Sequence, residues 1–147
     1  MIEYRDLTVN DIDGLMYAAM SFFEERGTTA DPDRTRTITL ALIEHGGPLV
    51  YGAVDGKSVL GFIAAEVVPD IWTDTTVASE HAFYTLPEHR NKGIGGAILT
   101  HFLTWAEEHG ANVRLMINGN VDDDAAAAMM EPYGLKKSGV FLTKEID

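Results

Sequence analysis

Apolar and polar residues alternate one by one along parts of this chain, and such alternation is typical of strands with one buried face. The strands that this pattern predicts are Ile2–Leu7, Leu49–Val54, Ser58–Val68, Thr76–Leu86, Val113–Asn118 and one or two within Leu135–Ile146. Asp55 and Gly56 are the pair expected in a tight hairpin turn between the second and third strands, because the central residues of such a turn need positive φ.

Other stretches repeat apolar residues every three or four positions, which predicts amphipathic helices. The predicted helices run from Thr8 or Asn10 to Arg26, from Arg34 to His45, from Gly93 to His109, and from the acidic run 122–124 to Pro132. The resulting order is β, α, α, β, β, β, α, β, α, β. This order predicts a mixed α/β (α+β) fold, with one domain over residues 1–147 and a central sheet of six to seven strands flanked by about four helices.

The composition excludes several classes of protein. With 147 residues and no cysteine, the chain has no disulfide framework, thiolate metal site or cysteine nucleophile. A formal charge of −12 argues against nucleic-acid binding, which needs an excess of Lys and Arg. No signal pattern opens the sequence, and no apolar stretch approaches the ~20 residues that span a bilayer. We therefore expect a cytoplasmic protein with no membrane partner and no metal.

The negative charge is concentrated in the first part of the chain. Residues 1–80 carry 14 acidic and 5 basic residues, whereas residues 81–147 carry 9 and 6. Within the second part, residues 89–101 contain Arg90, Lys92 and two histidines but no acid. A small cationic segment therefore stands in an acidic chain.

The same segment has the features of a phosphate-binding loop, at the point where a strand passes into a helix. The first amides of a helix lack intrahelical partners and lie at the positive end of its dipole. Glycines at positions 93, 95 and 96 leave room for a diphosphate near that backbone, and Arg90 and Lys92 add positive charge.

Two common phosphate loops do not fit these residues. A P-loop needs Gly-Lys-Ser/Thr, but Ala97 and Ile98 follow Gly96 here. A dinucleotide fingerprint needs Gly or Ala where Ile98 stands, and an acid where Asn118 stands.

The six residues 90–95, Arg-Asn-Lys-Gly-Ile-Gly, do fit the pattern Arg/Gln-x-x-Gly-x-Gly/Ala. On this motif the chain resembles the GCN5-related N-acetyltransferase (GNAT) superfamily. The element order of the whole chain is similar to that of the family, and Gly134-Leu135 resembles its closing Gly-Phe. The resemblance implies that acetyl-CoA binds as the acyl-donor substrate. Its pantetheine arm would lie on the backbone of Phe83, Tyr84 and Thr85, and its pyrophosphate on the amides of Arg90, Asn91, Lys92, Gly93, Ile94, Gly95 and Gly96.

The resemblance further implies acetyl transfer to a primary amine in a ternary complex. Such an amine, with a pKa of about 10.4, must first lose a proton, so a base is needed. His81 is the candidate base because it titrates near neutrality and lies on the face expected to carry Ser79, His81, Phe83 and Thr85. Glu66 is the alternative base, and Glu80 is expected on the opposite face.

The general acid is less obvious. Many family members have a Tyr four residues before the closing glycine, but Met130 occupies that position and has no proton to donate. Tyr133 is the candidate acid for the leaving thiolate, with Tyr84 or water as alternatives.

The resemblance assigns acceptor recognition to residues 8–45 and 69–75. Acidic and aromatic residues are frequent there: Glu24, Glu25, Asp31, Asp33, Asp70, Asp74, Phe22, Phe23 and Trp72. Such a rim favours a cationic amine. The alternatives are a catalytically weak GNAT-like module that binds CoA or a basic protein partner, and an acidic binding protein without a cofactor. Exposed sheet edges, which can pair between two copies of the chain, also allow a homodimer.

Overall fold

A computed structural model of the protein describes residues 1–116 and 123–139, together with Leu142, Lys144 and Ile146. The strands are β1 (Glu3–Asp6), β2 (Leu49–Asp55), β3 (Ser58–Pro69), β4 (Thr76–Thr85) and β5 (Asn112–Arg114). The helices are α1 (Ile12–Arg26), α2 (Pro32–His45), α3 (Ile94–Glu108) and α4 (Asp123–Met130), with 3-10 turns at Val9–Asp11, Pro87–His89 and Glu131–Tyr133. Among these helices, none has the length and hydrophobicity needed to cross a lipid bilayer.

The strands form one sheet in the order β1-β2-β3-β4-β5. The first four strands are antiparallel, whereas β5 runs parallel to β4 and pairs only with residues 77–79. A parallel neighbour requires a crossover connection, and α3 supplies it. The loop between β4 and α3 therefore lies at the end of β4 that β5 does not reach.

A β-bulge interrupts the pairing of β3 with β4. Ala64 is opposite Ala82 but Ala65 is opposite Glu80, so His81 is the extra residue on β4. Cross-strand partners share a face, and one extra residue reverses the alternation beyond it. Residues of β4 before and after His81 therefore follow opposite alternation: odd-numbered residues that lie on one face before it lie on the other face after it.

Helices α1 and α3 cover opposite faces of the sheet. Phe62 and Tyr84 are cross-strand partners and belong to a buried apolar cluster with Leu15 of α1. Phe83, the next residue along β4, lies on the other face, where it contacts α3: a Cβ added at Gly95 would meet its ring at 3.9 Å. Strand β4 thus lies between the two helices.

Local signals set the helix ends. Thr8 and Asp11 form a capping box before α1, and Gly27 ends that helix with a φ of 77°. Helix α2 begins at Pro32 and not at the predicted Arg34, because the Asp31 side chain accepts hydrogen bonds from two backbone amides and Pro is favoured in the first turn.

The described residues contain five strands, so the prediction of six to seven was too high. The missing strands were predicted within Leu135–Ile146. Residues 135–139 have no regular secondary structure, and Leu135 is their only apolar residue, so they have no apolar face for a strand to bury. Residues 140, 141, 143 and 145 lie outside the described residues.

The chain divides into two compact units, residues 1–116 and 117–147. In the second unit α4 runs into a 3-10 turn that Gly134 ends with a φ of 83°. Lys137 Nζ lies 3.6 Å from Asp124 Oδ1. The single domain over residues 1–147 stays a prediction.

Candidate functional site

The loop between β4 and α3 has a backbone shape that few sequences permit. Asn91 and Gly93 both have positive φ, at 63° and 82°, on either side of Lys92. Asn tolerates this conformation better than most residues and glycine adopts it without strain. Left-handed residues in alternation turn successive amides to one side, which forms an anion-binding concavity.

Six consecutive amides of this loop, from Asn91 to Gly96, have no acceptor among the residues that the structure describes. The first intrahelical bond is from the Ala97 amide to the Gly93 carbonyl, at 3.1 Å. The unpaired donors lie at the positive end of the 15-residue helix α3. Such a row of free amides at a helix N-terminus could receive a diphosphate.

The edge of β4 beside the loop is also open. Because β5 pairs only with residues 77–79, the described residues leave the other edge of β4 without a partner strand from Glu80 to Thr85. Phe83, Tyr84 and Thr85, the residues expected to bind an amide-containing arm, lie on this stretch. An open strand edge offers donors and acceptors to an extended, amide-containing ligand.

The charged side chains of the loop point to different partners. Lys92 Nζ lies 3.3 Å from His89 Nδ1 and stays beside the loop. Arg90 instead turns back: its Nε donates to the Thr85 carbonyl at 3.0 Å and its Nη2 to Glu25 Oε2 at 2.8 Å. The charge of Arg90 is therefore already paired within the protein.

Sequence reasoning missed this use of Glu25, which it counted as an acid of the acceptor rim. The Arg90 hydrogen bond lowers the pKa of the Glu25 carboxyl, against the effect of burial. Burial, followed by the bond to Glu25, raises the pKa of the Tyr84 hydroxyl. Glu25 is 59 positions from Tyr84 and 65 from Arg90 along the chain, so no local pattern could have revealed these contacts.

His81 and Glu66 form a pair at the bulge. Nε2 of His81 lies 2.8 Å from Oε1 of Glu66, and both side chains are partly exposed. A carboxylate only accepts hydrogen bonds, so Nε2 carries the proton of this contact, and in the neutral imidazole the lone pair lies on Nδ1. The candidate base and its alternative are thus in contact.

The prediction that Ser79, Phe83 and Thr85 lie on one face of β4 was wrong. Ser79 is opposite Glu66, on the face of Ala64 and Ala82, whereas Phe83 and Thr85 lie on the other face with α3. The bulge at His81 causes the exchange.

Glu80 is buried, and its side chain turns away from the pair of His81 and Glu66. Its Oε1 accepts a hydrogen bond from the Met116 amide at 2.9 Å. Burial raises the pKa of this carboxyl, and the Met116 hydrogen bond lowers it less. Glu80 is a residue to which sequence reasoning gave no role.

A family model described as the acetyltransferase (GNAT) family matches residues 12–135. The chain belongs to this family. No curated protein matches it in sequence.

Solved structures share the GNAT fold over nearly the whole chain. A predicted acetyltransferase from Clostridium acetobutylicum, with acetyl-CoA, has a TM-score of 0.77 and 16% identity and covers 99% of this chain and 96% of its own. An acetyltransferase from Trypanosoma brucei has a TM-score of 0.77 and 12% identity, with coverage of 99% and 100%. An aminoglycoside acetyltransferase from an uncultured soil metagenomic sample, in complex with sisomicin, has a TM-score of 0.72 and 16% identity, with coverage of 99% and 97%.

In this GNAT chain, the candidate acid Tyr133 lies in the second unit. It ends the 3-10 turn after α4 and is 39% exposed. Met130, at the position where the family often has a tyrosine, is the last residue of α4. The role of Tyr133 stays a prediction.

Some of the acidic side chains expected to recognise the acceptor instead form local hydrogen bonds. Asp31 caps α2, and Asp70 accepts a hydrogen bond from the Trp72 amide at 2.9 Å. Asp33 and Asp74 are exposed, and Trp72, two residues before Asp74, is 86% exposed. An exposed aromatic ring near carboxylates is a feature that attracts cations.

A cavity of about 360 Å³ in the first unit is lined by Leu49, His101, Trp105 and their neighbours, and by no residue of the loop or of the pair at the bulge. Among the described residues, no three His, Asp or Glu side chains come together as a metal site would need.

Proposed function

We propose that this GNAT protein is an acetyl-CoA-dependent N-acetyltransferase that moves an acetyl group from the thioester to a primary amine within a ternary complex. One observation carries the proposal: the six unpaired amides at Asn91–Gly96 adjoin the unpaired edge of β4. A diphosphate and an amide-containing chain, joined as in CoA, match these two features in order.

The residues of the loop and of the open edge of β4 fit acetyl-CoA. The amides of Asn91–Gly96 would hold the pyrophosphate. The Arg90 amide, predicted to join them, instead donates to the Pro87 carbonyl at 3.3 Å. Lys92 would add positive charge beside the loop. The backbone of Phe83, Tyr84 and Thr85 would hold the pantetheine arm. Acetyl-CoA supplies an acetyl group activated as a thioester. The acetyl-CoA named for the Clostridium acetobutylicum structure supports this choice.

His81 would act as the general base. Its free Nδ1 takes a proton from the acceptor ammonium, directly or through water, while Glu66 holds the ring through Nε2 and stabilises the imidazolium that forms. The bulge supports this role because it turns His81 out of the sheet, where the imidazole is half exposed.

Two further groups would complete the reaction. Backbone N–H groups on the open edge near Phe83–Thr85 are fixed dipoles for an oxygen atom that gains negative charge. Tyr133 would donate the proton that the departing thiolate requires.

We propose a cationic amine as the acceptor. Asp33 and Asp74 remain exposed carboxylates, and Trp72 offers an aromatic face. The sisomicin complex of the aminoglycoside acetyltransferase supports an acceptor of this kind, since aminoglycosides carry several amines.

Met130 favours a second candidate function. A GNAT protein without a tyrosine at that position would be a weak enzyme that binds CoA or a basic protein partner.

The test has two stages. Acetyl-CoA is first titrated into the protein while thermal unfolding is followed, and ligand at ~100 times its Kd should stabilise by about 2.7 kcal/mol. An absent shift refutes the proposal. Release of CoA is then measured with a panel of polyamines, aminoglycosides and peptides. Release with a cationic amine supports the transferase, whereas binding without release supports the weak module.

Tyr133→Phe tests whether that residue is the general acid. We expect a lower kcat and an unchanged acetyl-CoA Kd, with Tyr17→Phe, an exposed tyrosine of α1, as the matched control for Kd.

A further inference from the structure

One carboxylate oxygen joins α1 to the phosphate loop. Oε2 of Glu25, in the last turn of α1, accepts hydrogen bonds from the Tyr84 hydroxyl at 2.6 Å and from Arg90 Nη2 at 2.8 Å. Tyr84 belongs to β4 and Arg90 to the loop that follows it. Three elements therefore meet at one atom.

The hydrogen bonds of this network have a fixed direction. The only proton of the Tyr84 hydroxyl goes to Glu25, so the Ser21 hydroxyl, 2.9 Å away, must donate to the Tyr84 oxygen. Ser21 and Glu25 are one helical turn apart on α1. Tyr84 is 7% exposed and its ring packs on Phe22 at 5.5 Å between centroids. A buried ring thus holds the carboxylate that holds Arg90.

Arg90 has two further contacts that face the sheet. Its Nε donates to the Thr85 carbonyl at 3.0 Å, and its guanidinium lies 5.3 Å from the centre of the Tyr84 ring. A guanidinium anchored at three points loses most of its freedom, and its charge is offset by Glu25. These contacts fasten the first residue of the phosphate loop to the end of β4.

We propose that Glu25 is a positioning residue for the acyl-donor site: it braces Arg90 against the end of β4 and so holds the loop whose amides receive the pyrophosphate. This inference rests on the proposed function. The side chain of Arg90 then acts as a brace, and the anion is met by the amides and by Lys92. Because Glu25 belongs to α1, the brace also ties a helix of the acceptor side to the donor loop.

The sign of one measurement separates this role from a simple charge effect. If the guanidinium instead paired with the pyrophosphate, removal of Glu25 would release it and tighten CoA binding. A brace predicts the opposite, because the loop loses its preorganised shape. Tyr84→Phe removes one hydrogen bond onto Glu25 without changing any charge, so electrostatics cannot explain its effect.

The experiment measures the Kd of CoA by calorimetry in ~0.3 M salt, where exposed charges are strongly screened. We expect Glu25→Gln to weaken binding by about 5- to 10-fold and Tyr84→Phe by about 2- to 5-fold. Glu107→Gln and Tyr17→Phe, at exposed positions, are the matched controls and should stay within about twofold of the wild type. In an Arg90→Gln background, Glu25→Gln should add no further loss.

Thermal unfolding of each variant without ligand completes the design. Tighter binding by Glu25→Gln overturns the inference, as does a lower Tm with unchanged Kd in both variants, which would indicate a purely structural contact. If Glu25→Gln does not fold, Tyr84→Phe, which keeps the buried ring, decides. A wild-type protein that does not bind CoA overturns the proposed function and this inference with it.

Discussion

Nε2 of His81 and Oε1 of Glu66 lie 2.8 Å apart across β3 and β4, although the two residues are 15 positions apart. The β-bulge makes this contact because it adds one residue to β4 at His81. A regular strand would have kept His81 on the face of Phe83 and Thr85, which packs on α3.

His81→Ala should lower kcat by about 100-fold or more, since a general base contributes on the order of 10²–10⁴. Glu66→Gln should cost less, because the amide oxygen still accepts the Nε2 proton but carries no charge to stabilise the imidazolium. Turnover is measured from about pH 6 to 9 at saturating acetyl-CoA, with His109→Gln at the exposed end of α3 as control. Wild-type turnover by His81→Ala across this range would contradict the role.

Gly93→Ala should abolish most of the thermal stabilisation by acetyl-CoA. Gly93 has a φ of 82°, and a side chain there strains the loop that presents the amides. Gly110→Ala is the matched control, because Gly110 also has positive φ and open space around it but lies at the other end of α3. Both variants should lose about 1 to 2 kcal/mol of stability without ligand. Equal acetyl-CoA shifts in both would argue against the loop.

Asp11→Asn should destabilise the first unit by about 2 kcal/mol at neutral pH, since Arg5 donates two hydrogen bonds to the buried Asp11 carboxylate. The Arg5 hydrogen bond lowers the pKa of Asp11. Its contribution is therefore present above the unfolded pKa, about 4, and is lost as the pH falls through the lower folded pKa. The difference between wild type and variant should shrink in acid.

Urea unfolding at several pH values measures this difference, with Asp13→Asn as control because Asp13 pairs with Arg36 on the surface. An equal loss in both variants would mean that burial of the Asp11 pair is unimportant.

Glu80→Gln should gain stability relative to the wild type as the pH rises above the unfolded pKa of glutamate, about 4.3. Burial raises the pKa of Glu80, so the folded state keeps its proton where the unfolded state has lost it, and wild-type stability falls through that window. Gln still accepts the Met116 hydrogen bond and does not titrate. Glu107→Gln is the exposed control. A difference that is constant with pH would show that Glu80 is not desolvated.

The periodicity predicted the first four strands and the four helices close to their observed bounds, because strand alternation, caps and glycine stops depend on neighbouring residues. The fifth strand, predicted over Val113–Asn118, is shorter and covers Asn112–Arg114. No strand forms at residues 135–139, where Leu135 is the only apolar residue. Gly93 and Gly95 predicted a phosphate-binding loop here for the same local reason: unpaired amides and glycine at positive φ belong to a short stretch of chain.

Only the tertiary structure decided which side chains meet around that loop. The extra residue at His81 shifts a register by one, which no alternation along β4 reveals, and it determines that Glu66 faces the imidazole. Glu25 meets Arg90 because α1 packs on β4 through Tyr84. Such contacts depend on how distant elements pack, and packing is settled by the summed burial of both faces of a sheet, not by any one stretch of sequence.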